Sequence, residues 1–239
     1  GSFERGRQIG AGVIHLDDGS TIQSDHYLEL RLNGRATRRW PNGDVFIGQL
    51  QEDVPHGDGS MAYADGTRLT GQWVAGRAEG AVERVEADGH VSYKGEFRDG
   101  TMWGTGRWAQ GGRIYDGAFV GGVREGNGAA TEPDGSTYTG AWVAGERTGE
   151  GHATDVDGSD YVGQFLNGRR VGWGTLRDAD GGVYEGELRE GVREGKGRSR
   201  QPNGTSFDGY WRDGRWEGAG RLALADGTQY DGHFSAGAI

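Results

Sequence analysis

The amino-acid sequence predicts an all-β protein: an elongated single-layer antiparallel sheet of stacked 23-residue β-hairpins, a twisted rod with a groove along one face. Three observations predict it. Glycine supplies 50 of the 239 residues, about three times the usual share, while aromatic residues still reach 10%. An aromatic-x-Gly-x-aromatic signature returns at a fixed interval, as in Tyr138-Thr-Gly140-Ala-Trp142, Tyr161-Val-Gly163-Gln-Phe165 and Phe207-Asp-Gly209-Tyr-Trp211. An Asp-Gly or Asn-Gly dipeptide closes each interval, among them Asp134-Gly135, Asp157-Gly158, Asp180-Gly181, Asn203-Gly204 and Asp226-Gly227.

In chain order, residues 1–21 are a truncated repeat in which Phe3, Gly6, Gly10, Gly12 and Asp18-Gly19 fall in phase. Gly1-Ser2 reads as a protease-cleavage scar. Residues 22–45 are a degenerate repeat that loses the opening signature and keeps the closing half through Trp40-Pro41-Asn42-Gly43. Eight repeats fill 46–229, starting at Phe46, Leu69, Tyr93, Tyr115, Tyr138, Tyr161, Tyr184 and Phe207. The early spacings run from 22 to 24 residues and settle at 23. Residues 230–239 are a half-repeat.

The spacing i, i+2, i+4 puts Tyr138, Gly140 and Trp142 on one face of a strand, whereas a helix would scatter them. Each middle glycine, and the Gly-x-Gly pair of the second strand (Gly149/Gly151, Gly172/Gly174, Gly195/Gly197, Gly218/Gly220), leaves room for a ring over bare backbone. Asp-Gly and Asn-Gly predict tight turns tolerant of positive φ, with Pro41, Pro133 and Pro202 fixing the approach. The loop around Gly145 and its equivalents joins the two strands of one hairpin. One hairpin alone is marginal, so each repeat depends on its neighbours. About twenty strands at about 4.8 Å give a rod of about 95 Å.

The unit Tyr-x-Gly-x-Trp/Phe-x-x-Gly-x-x-x-Gly-x-Gly followed by Asp-Gly resembles the MORN repeat (membrane occupation and recognition nexus), and the resemblance covers essentially the whole chain. It departs at 22–45, at Asp53 and Val82 where glycine is expected, and at Gln110-Gly111 where Asp-Gly is expected. The resemblance implies a long antiparallel sheet whose aromatics line a groove. It also implies a non-enzymatic scaffold of the MORN-only type that self-associates and holds partner protein segments, a helix among the options. The protein would then be cytoplasmic and attached to cytoskeleton or membrane through its partners. The alternative is an adaptor reading anionic phospholipid.

The absence of Cys removes disulfides, thiolate zinc sites and Cys nucleophiles, and favours a reducing compartment. A net charge of −10 disfavours nucleic acid and direct binding to anionic membrane. His15, His26, His56, His90, His152 and His233 fall at different repeat phases and form no metal-ligand pair, so no metal or cofactor is expected. Gly191-Val-Arg-Glu-Gly195-Lys196 mimics a phosphate loop but is one residue short between the glycines. Asn203-Gly204-Thr205 has the form of a glycosylation sequon and is read as a turn. No catalytic constellation stands out, so no enzyme is expected.

The expected partner groove comprises Phe46, Trp73, Tyr93, Phe97, Tyr115, Phe119, Tyr138, Trp142, Tyr161, Phe165, Tyr184 and Trp211, which serve as core and as partly exposed binding surface together. The final half-repeat offers one unpaired strand, which predicts a homodimer through Phe207, Tyr210, Trp216, Tyr230 and Phe234. Arg77, Arg124, Arg147, Arg169, Arg170, Arg193 and Arg215 recur past the first loop, beside Glu79, Glu125, Glu194 and Glu217, which should neutralise them. Arg31, Arg35, Arg38 and Arg39 form a denser candidate patch for an anion.

Overall fold

The computed structural model describes residues 2–4, 7–9, 11–24 and 32–239, the first two stretches by their backbone alone. Strands and turns make up the described chain. β1 (Ser2–Glu4) and β2 (Arg7–Ile9) pair with each other. The strands that follow are β3 (Gly12–His15), β4 (Thr21–Ser24), β5 (Gly34–Arg39), β6 (Val45–Gln51), β7 (Val54–Ala62), β8 (Arg68–Val74), β9 (Arg77–Val85), β10 (Val91–Arg98), β11 (Thr101–Gln110), β12 (Arg113–Val120), β13 (Val123–Thr131), β14 (Thr137–Val143), β15 (Glu146–Thr154), β16 (Asp160–Leu166), β17 (Arg169–Arg177), β18 (Val183–Arg189), β19 (Val192–Arg200), β20 (Ser206–Arg212), β21 (Arg215–Ala223) and β22 (Gln229–Phe234).

The chain forms two compact units, Gly1–Gln110 with Ala118–Val123, and Gly111–Gly117 with Arg124–Ile239. In the first, β3 to β11 follow one another as antiparallel neighbours. In the second, β13 to β22 do the same. Among the described residues β3 pairs with β4 alone and β22 with β21 alone, so the sheet is not closed into a barrel.

Two kinds of turn alternate, and their assignment differs from the expectation. The tight two-residue turns are the loops inside each hairpin: Ala75-Gly76, Asp99-Gly100, Ala144-Gly145, Asn167-Gly168, Glu190-Gly191 and Asp213-Gly214 all have positive φ at both positions. That is the type I′ geometry matched to strand twist. The Asp-Gly and Asn-Gly pairs that close the repeats, such as Asp134-Gly135 and Asn203-Gly204, lie instead in three-residue loops where glycine alone turns left-handed. Gly135 donates to the Glu132 carbonyl at 3.0 Å, and Glu132 N–H donates to the Ser136 carbonyl at 2.9 Å. The loop Pro133-Asp134-Gly135 is thus a type I turn closed by a left-handed glycine, and proline suits its second position. The aspartate side chain accepts the N–H two residues on, as from Ser136 to Asp134 at 2.9 Å and Ser159 to Asp157 at 2.9 Å. Asn203 does the same for Thr205 at 2.9 Å, so the sequon residue is a turn residue. Gly191 and Gly195 are a hairpin-turn and a strand glycine, and no phosphate loop forms between them.

The Gly-x-Gly pair also divides its labour. The first glycine has φ of 64° at Gly149 and 62° at Gly172. It belongs to a bulge, where the ladder steps from Gly140↔Gly151 to Ala141↔Thr148. Only the second glycine underlies a ring, so the expectation for the first is corrected. The departures from the repeat are compensated locally. Val82 is buried beside Gly71 in the one complete repeat that opens with Leu69 in place of an aromatic ring, so the smaller side chain makes room for the larger. Asp53 adopts φ 71° and accepts the Leu32 N–H at 2.7 Å. At Gln110-Gly111 the turn shortens to Gly111-Gly112, both with positive φ.

Candidate functional site

Each repeat that opens with Phe or Tyr packs that ring over the glycine backbone of two strands. A Cβ added at Gly151 would stand 2.5 Å from the Tyr138 ring, and one at Gly174 2.5 Å from the Tyr161 ring. The tyrosine hydroxyl then donates to the carbonyl three residues on: Tyr93 to Glu96 at 3.0 Å, Tyr138 to Ala141 at 3.0 Å, Tyr184 to Glu187 at 2.8 Å. Burial pushes the Tyr93 and Tyr184 phenols up to about 12. The tryptophans donate from Nε1 to a glycine carbonyl fourteen residues back, Trp142 to Gly128 at 3.2 Å and Trp211 to Gly197 at 3.0 Å. Neighbouring rings meet edge to face, as in Tyr138–Phe165 at 4.9 Å and Tyr184–Trp211 at 5.2 Å.

This packing corrects one expectation. The twelve groove residues Phe46, Trp73, Tyr93, Phe97, Tyr115, Phe119, Tyr138, Trp142, Tyr161, Phe165, Tyr184 and Trp211 are all buried, none exposing more than 7%. They are core and offer no partly exposed face. Part of the reason is a cover that the sequence reading did not assign. Nine residues after the opening tyrosine an arginine lies over its ring: Arg147 over Tyr138 at 5.0 Å, Arg170 over Tyr161 at 5.2 Å, Arg193 over Tyr184 at 5.2 Å. Arg124 covers Tyr115 at 5.7 Å and Trp142 at 4.1 Å. Trp216 fills this position in the Phe207 repeat and stacks on Phe207 at 4.9 Å.

The partners of these arginines are not the adjacent glutamates. Arg170 reaches Asp155 at 2.6 Å, Arg193 reaches Asp178 at 2.7 Å and Arg147 approaches Glu132 at 3.7 Å. The equivalent residue in the Trp216 repeat is neutral Gln201, so the acid disappears together with the base. The glutamates serve the next turn instead. Glu125 accepts the Ala144 N–H at 2.9 Å, Glu194 that of Asp213 at 3.1 Å and Glu217 that of Ala236 at 3.0 Å, all on left-handed residues. Arg169, by contrast, is exposed and pairs with Glu190 at 2.6 Å. Where the covers change from Arg193 to Trp216 a cavity of about 590 Å³ opens, lined by Arg193, Gln201, Asn203, Trp211, Arg215 and Trp216 among others.

The remaining candidates separate. Arg31 lies outside the described residues. Arg38 is a structural cation that stacks on Trp40 at 4.7 Å, pairs with Asp18 at 2.7 Å and donates to the Asp53 carbonyl at 2.9 Å. Arg35 and Arg39 are exposed and alternate with it along β5, so these three do not form one patch. Of the expected dimer residues, Phe207 and Phe234 are buried within the chain, Tyr230 packs on Phe234 at 5.3 Å, and Tyr210 is exposed. Among the described residues no group of three or more His, Cys, Asp or Glu is placed to hold a metal ion.

The family model for the MORN repeat matches residues 31–45, 46–68, 93–113, 115–137, 138–160, 161–183, 184–206 and 207–229. The chain is 27% identical over 129 residues to alsin of Rattus norvegicus and to alsin of Homo sapiens. That stretch is 50% of this chain and 8% of each alsin. Among solved structures, the TCP10 domain of Danio rerio CPAP (E1021V mutant) aligns over 93% of this chain and 99% of its own, with a TM-score of 0.34 and 15% identity. The TCP domain of Drosophila melanogaster SAS-4, in complex with a proline-rich motif of Ana2, aligns over 94% of this chain and 90% of its own, with a TM-score of 0.21 and 12% identity.

Proposed function

The chain belongs to the MORN-repeat family, and from that premise we propose that it is a non-catalytic scaffold that holds partner protein segments along its ring-bearing face and self-associates. One observation carries this reading: the same rung, an arginine over a ring with an acidic partner, recurs at Arg147, Arg170 and Arg193. These side chains keep 20–26% of their surface open, so they present guanidinium and carboxylate edges at regular intervals to a partner backbone. The buried rings fix that surface and do not themselves form it. At Trp216 and Gln201 the row ends in a rung without an ion pair.

A pull-down with the intact chain, against a variant carrying Arg147, Arg170 and Arg193 all changed to Gln, tests the reading. Loss of the captured proteins in the variant supports it. Capture that ignores all three arginines places the site elsewhere.

Self-association is proposed through β22, whose outer edge has no paired strand among the described residues. Light scattering should report a dimer for the intact chain and a monomer for one ending at Gly204. Equal masses per chain number in both would reject that edge. The phospholipid alternative gains no support, because the covering arginines already carry acidic partners. Co-sedimentation with anionic vesicles at about 0.15 M salt, where charges are screened beyond about 8 Å, should give negligible binding. Tight binding abolished by Arg169→Glu with Arg170→Glu would reinstate it. A cytoplasmic location, with attachment to cytoskeleton or membrane through partners, completes the proposal and is consistent with a cysteine-free chain.

A further inference from the structure

Several large apolar side chains of the second compact unit are exposed on the face opposite the ring stripe. Strand alternation sends Tyr161, Phe165, Tyr184 and Trp211 inward and their neighbours outward. On β16 and β17 the outward set includes Val162, Leu166 and Trp173, at 50%, 56% and 52% exposure, and on β20 it includes Tyr210 at 46%. Trp173 has no ring partner and no hydrogen bond among the described residues, unlike the buried Trp142 and Trp211. Register connects these positions. Trp173 opposes Glu187, Glu187 accepts the Lys196 N–H at 3.3 Å, and Lys196 opposes Tyr210 with its ammonium 5.6 Å from the ring.

The charge left open on this face is positive. Glu185 pairs with Arg198 at 2.7 Å, Glu194 with Arg189 at 3.1 Å and Glu217 with Arg212 at 3.6 Å, while Glu187 accepts a backbone N–H alone and Asp208 stands opposite both Arg198 and Arg221 in the ladder. Arg177 and Arg200, which flank Val183 in one row, have no acidic partner among the described residues. Trp173 and Tyr210 share a row with Glu187 and Lys196, and the unpaired Arg177 and Arg200 lie four residues further along the same strands and their neighbours; tryptophan, tyrosine and arginine are the residue types that dominate interface energetics.

We propose that the outward face of β16 to β21 is a second docking surface, which takes an acidic protein segment carrying apolar side chains. Aromatic and aliphatic side chains receive its apolar positions, and Arg177, Arg200 and Lys196 receive its carboxylates. Five strand intervals span about 24 Å, enough for about seven residues of extended chain. Arg200 also borders the cavity at Trp216, and the other named residues of this surface face away from the rings.

The test uses the intact chain and a fluorescent peptide of alternating glutamate and leucine, read by anisotropy at low salt. An alternating lysine–leucine peptide, oligo-deoxythymidine and phosphatidylserine vesicles are the other arms. The acidic peptide should bind, and the lysine peptide should not. Trp173→Ala with Tyr210→Ala should weaken binding at least tenfold. Arg177→Glu with Arg200→Glu should do the same and flatten the salt dependence, without removing a ring. Arg68→Gln, an exposed arginine of the first compact unit, should leave affinity unchanged. All four outward side chains are exposed, so circular dichroism should report the native sheet in every variant. Equal binding of both peptides, or variants that bind like the parent, would overturn the proposal. Binding of oligonucleotide or vesicle without the acidic peptide would also overturn it.

Discussion

A methyl group at Gly151 would stand 2.5 Å from the Tyr138 ring. Gly151→Ala should therefore destabilise the chain by about 1–3 kcal/mol, the usual cost of overpacking, read as a lower denaturant midpoint. Gly158→Ala meets no atom within 4 Å but loses a left-handed glycine, so its cost is backbone strain alone. The Leu69 repeat allows a sharper test. Leu69→Tyr should clash with Val82, Val82→Gly should leave a void, and the two together should rebuild the ring-over-glycine arrangement. The double variant should be more stable than either single one, and additive losses in a double-mutant cycle would refute the compensation. This relation was legible in the sequence, because Tyr138, Gly140 and Gly151 keep their phase in nearly every repeat. The arginine covers were not. Arg170 and Asp155 are 15 residues apart, and only the Asp-Gly loop and the bulge at Gly172 bring the guanidinium to the carboxylate. Sequence adjacency pointed instead to glutamates whose work is to hold the next turn.

The turns carry the pH dependence of the hairpins. Backbone N–H donation from the residue two on holds Asp65, Asp88, Asp134, Asp157 and Asp226 below their usual carboxylate value of 3.8. A lowered folded-state value means the stabilisation is complete above the unfolded value and is lost as pH falls through the folded one. The melting temperature should hold down to about pH 4 and then drop. Asp134→Asn with Asp157→Asn keeps the accepting oxygen, as Asn42 and Asn203 do naturally. That variant should lose less stability between pH 4 and pH 2, and an unchanged acid slope would show that the turns do not set it. The two turn types were only half legible. Asp-Gly announces a turn, but Ala144 at φ 50° carries no side-chain signal for the tighter one. Ala144 is held there by the N–H it gives to Glu125 and by Gly145 donating to the Arg124 carbonyl at 3.0 Å, both in the neighbouring repeat.

For the molecule as a whole, the period is the quantity that matters. Gly145, Gly168, Gly191 and Gly214 donate to the carbonyls of Arg124, Arg147, Arg170 and Arg193, so each repeat is fastened to the one before it at the same point. Deleting residues 161–183 joins Asp160 to Tyr184 with every phase preserved. That chain should fold and unfold cooperatively at a somewhat lower temperature. Deleting 161–171 puts outward residues on the buried face and should abolish the transition, as circular dichroism would record. The same fastening has a mechanical side. In the second compact unit β14 to β21 are each bonded to the strands before and after them in sequence, and ladder bonds run across the strands. Tension applied at Ile239 therefore loads these bonds one row at a time, as a zipper is opened, and never a whole strand in shear. Drawn between two beads, the second unit should yield at low force in equal steps, each releasing one 23-residue length of about 80 Å. A protein built this way gives slack gradually and can rewind, so it could act as a compliant tether between whatever it joins.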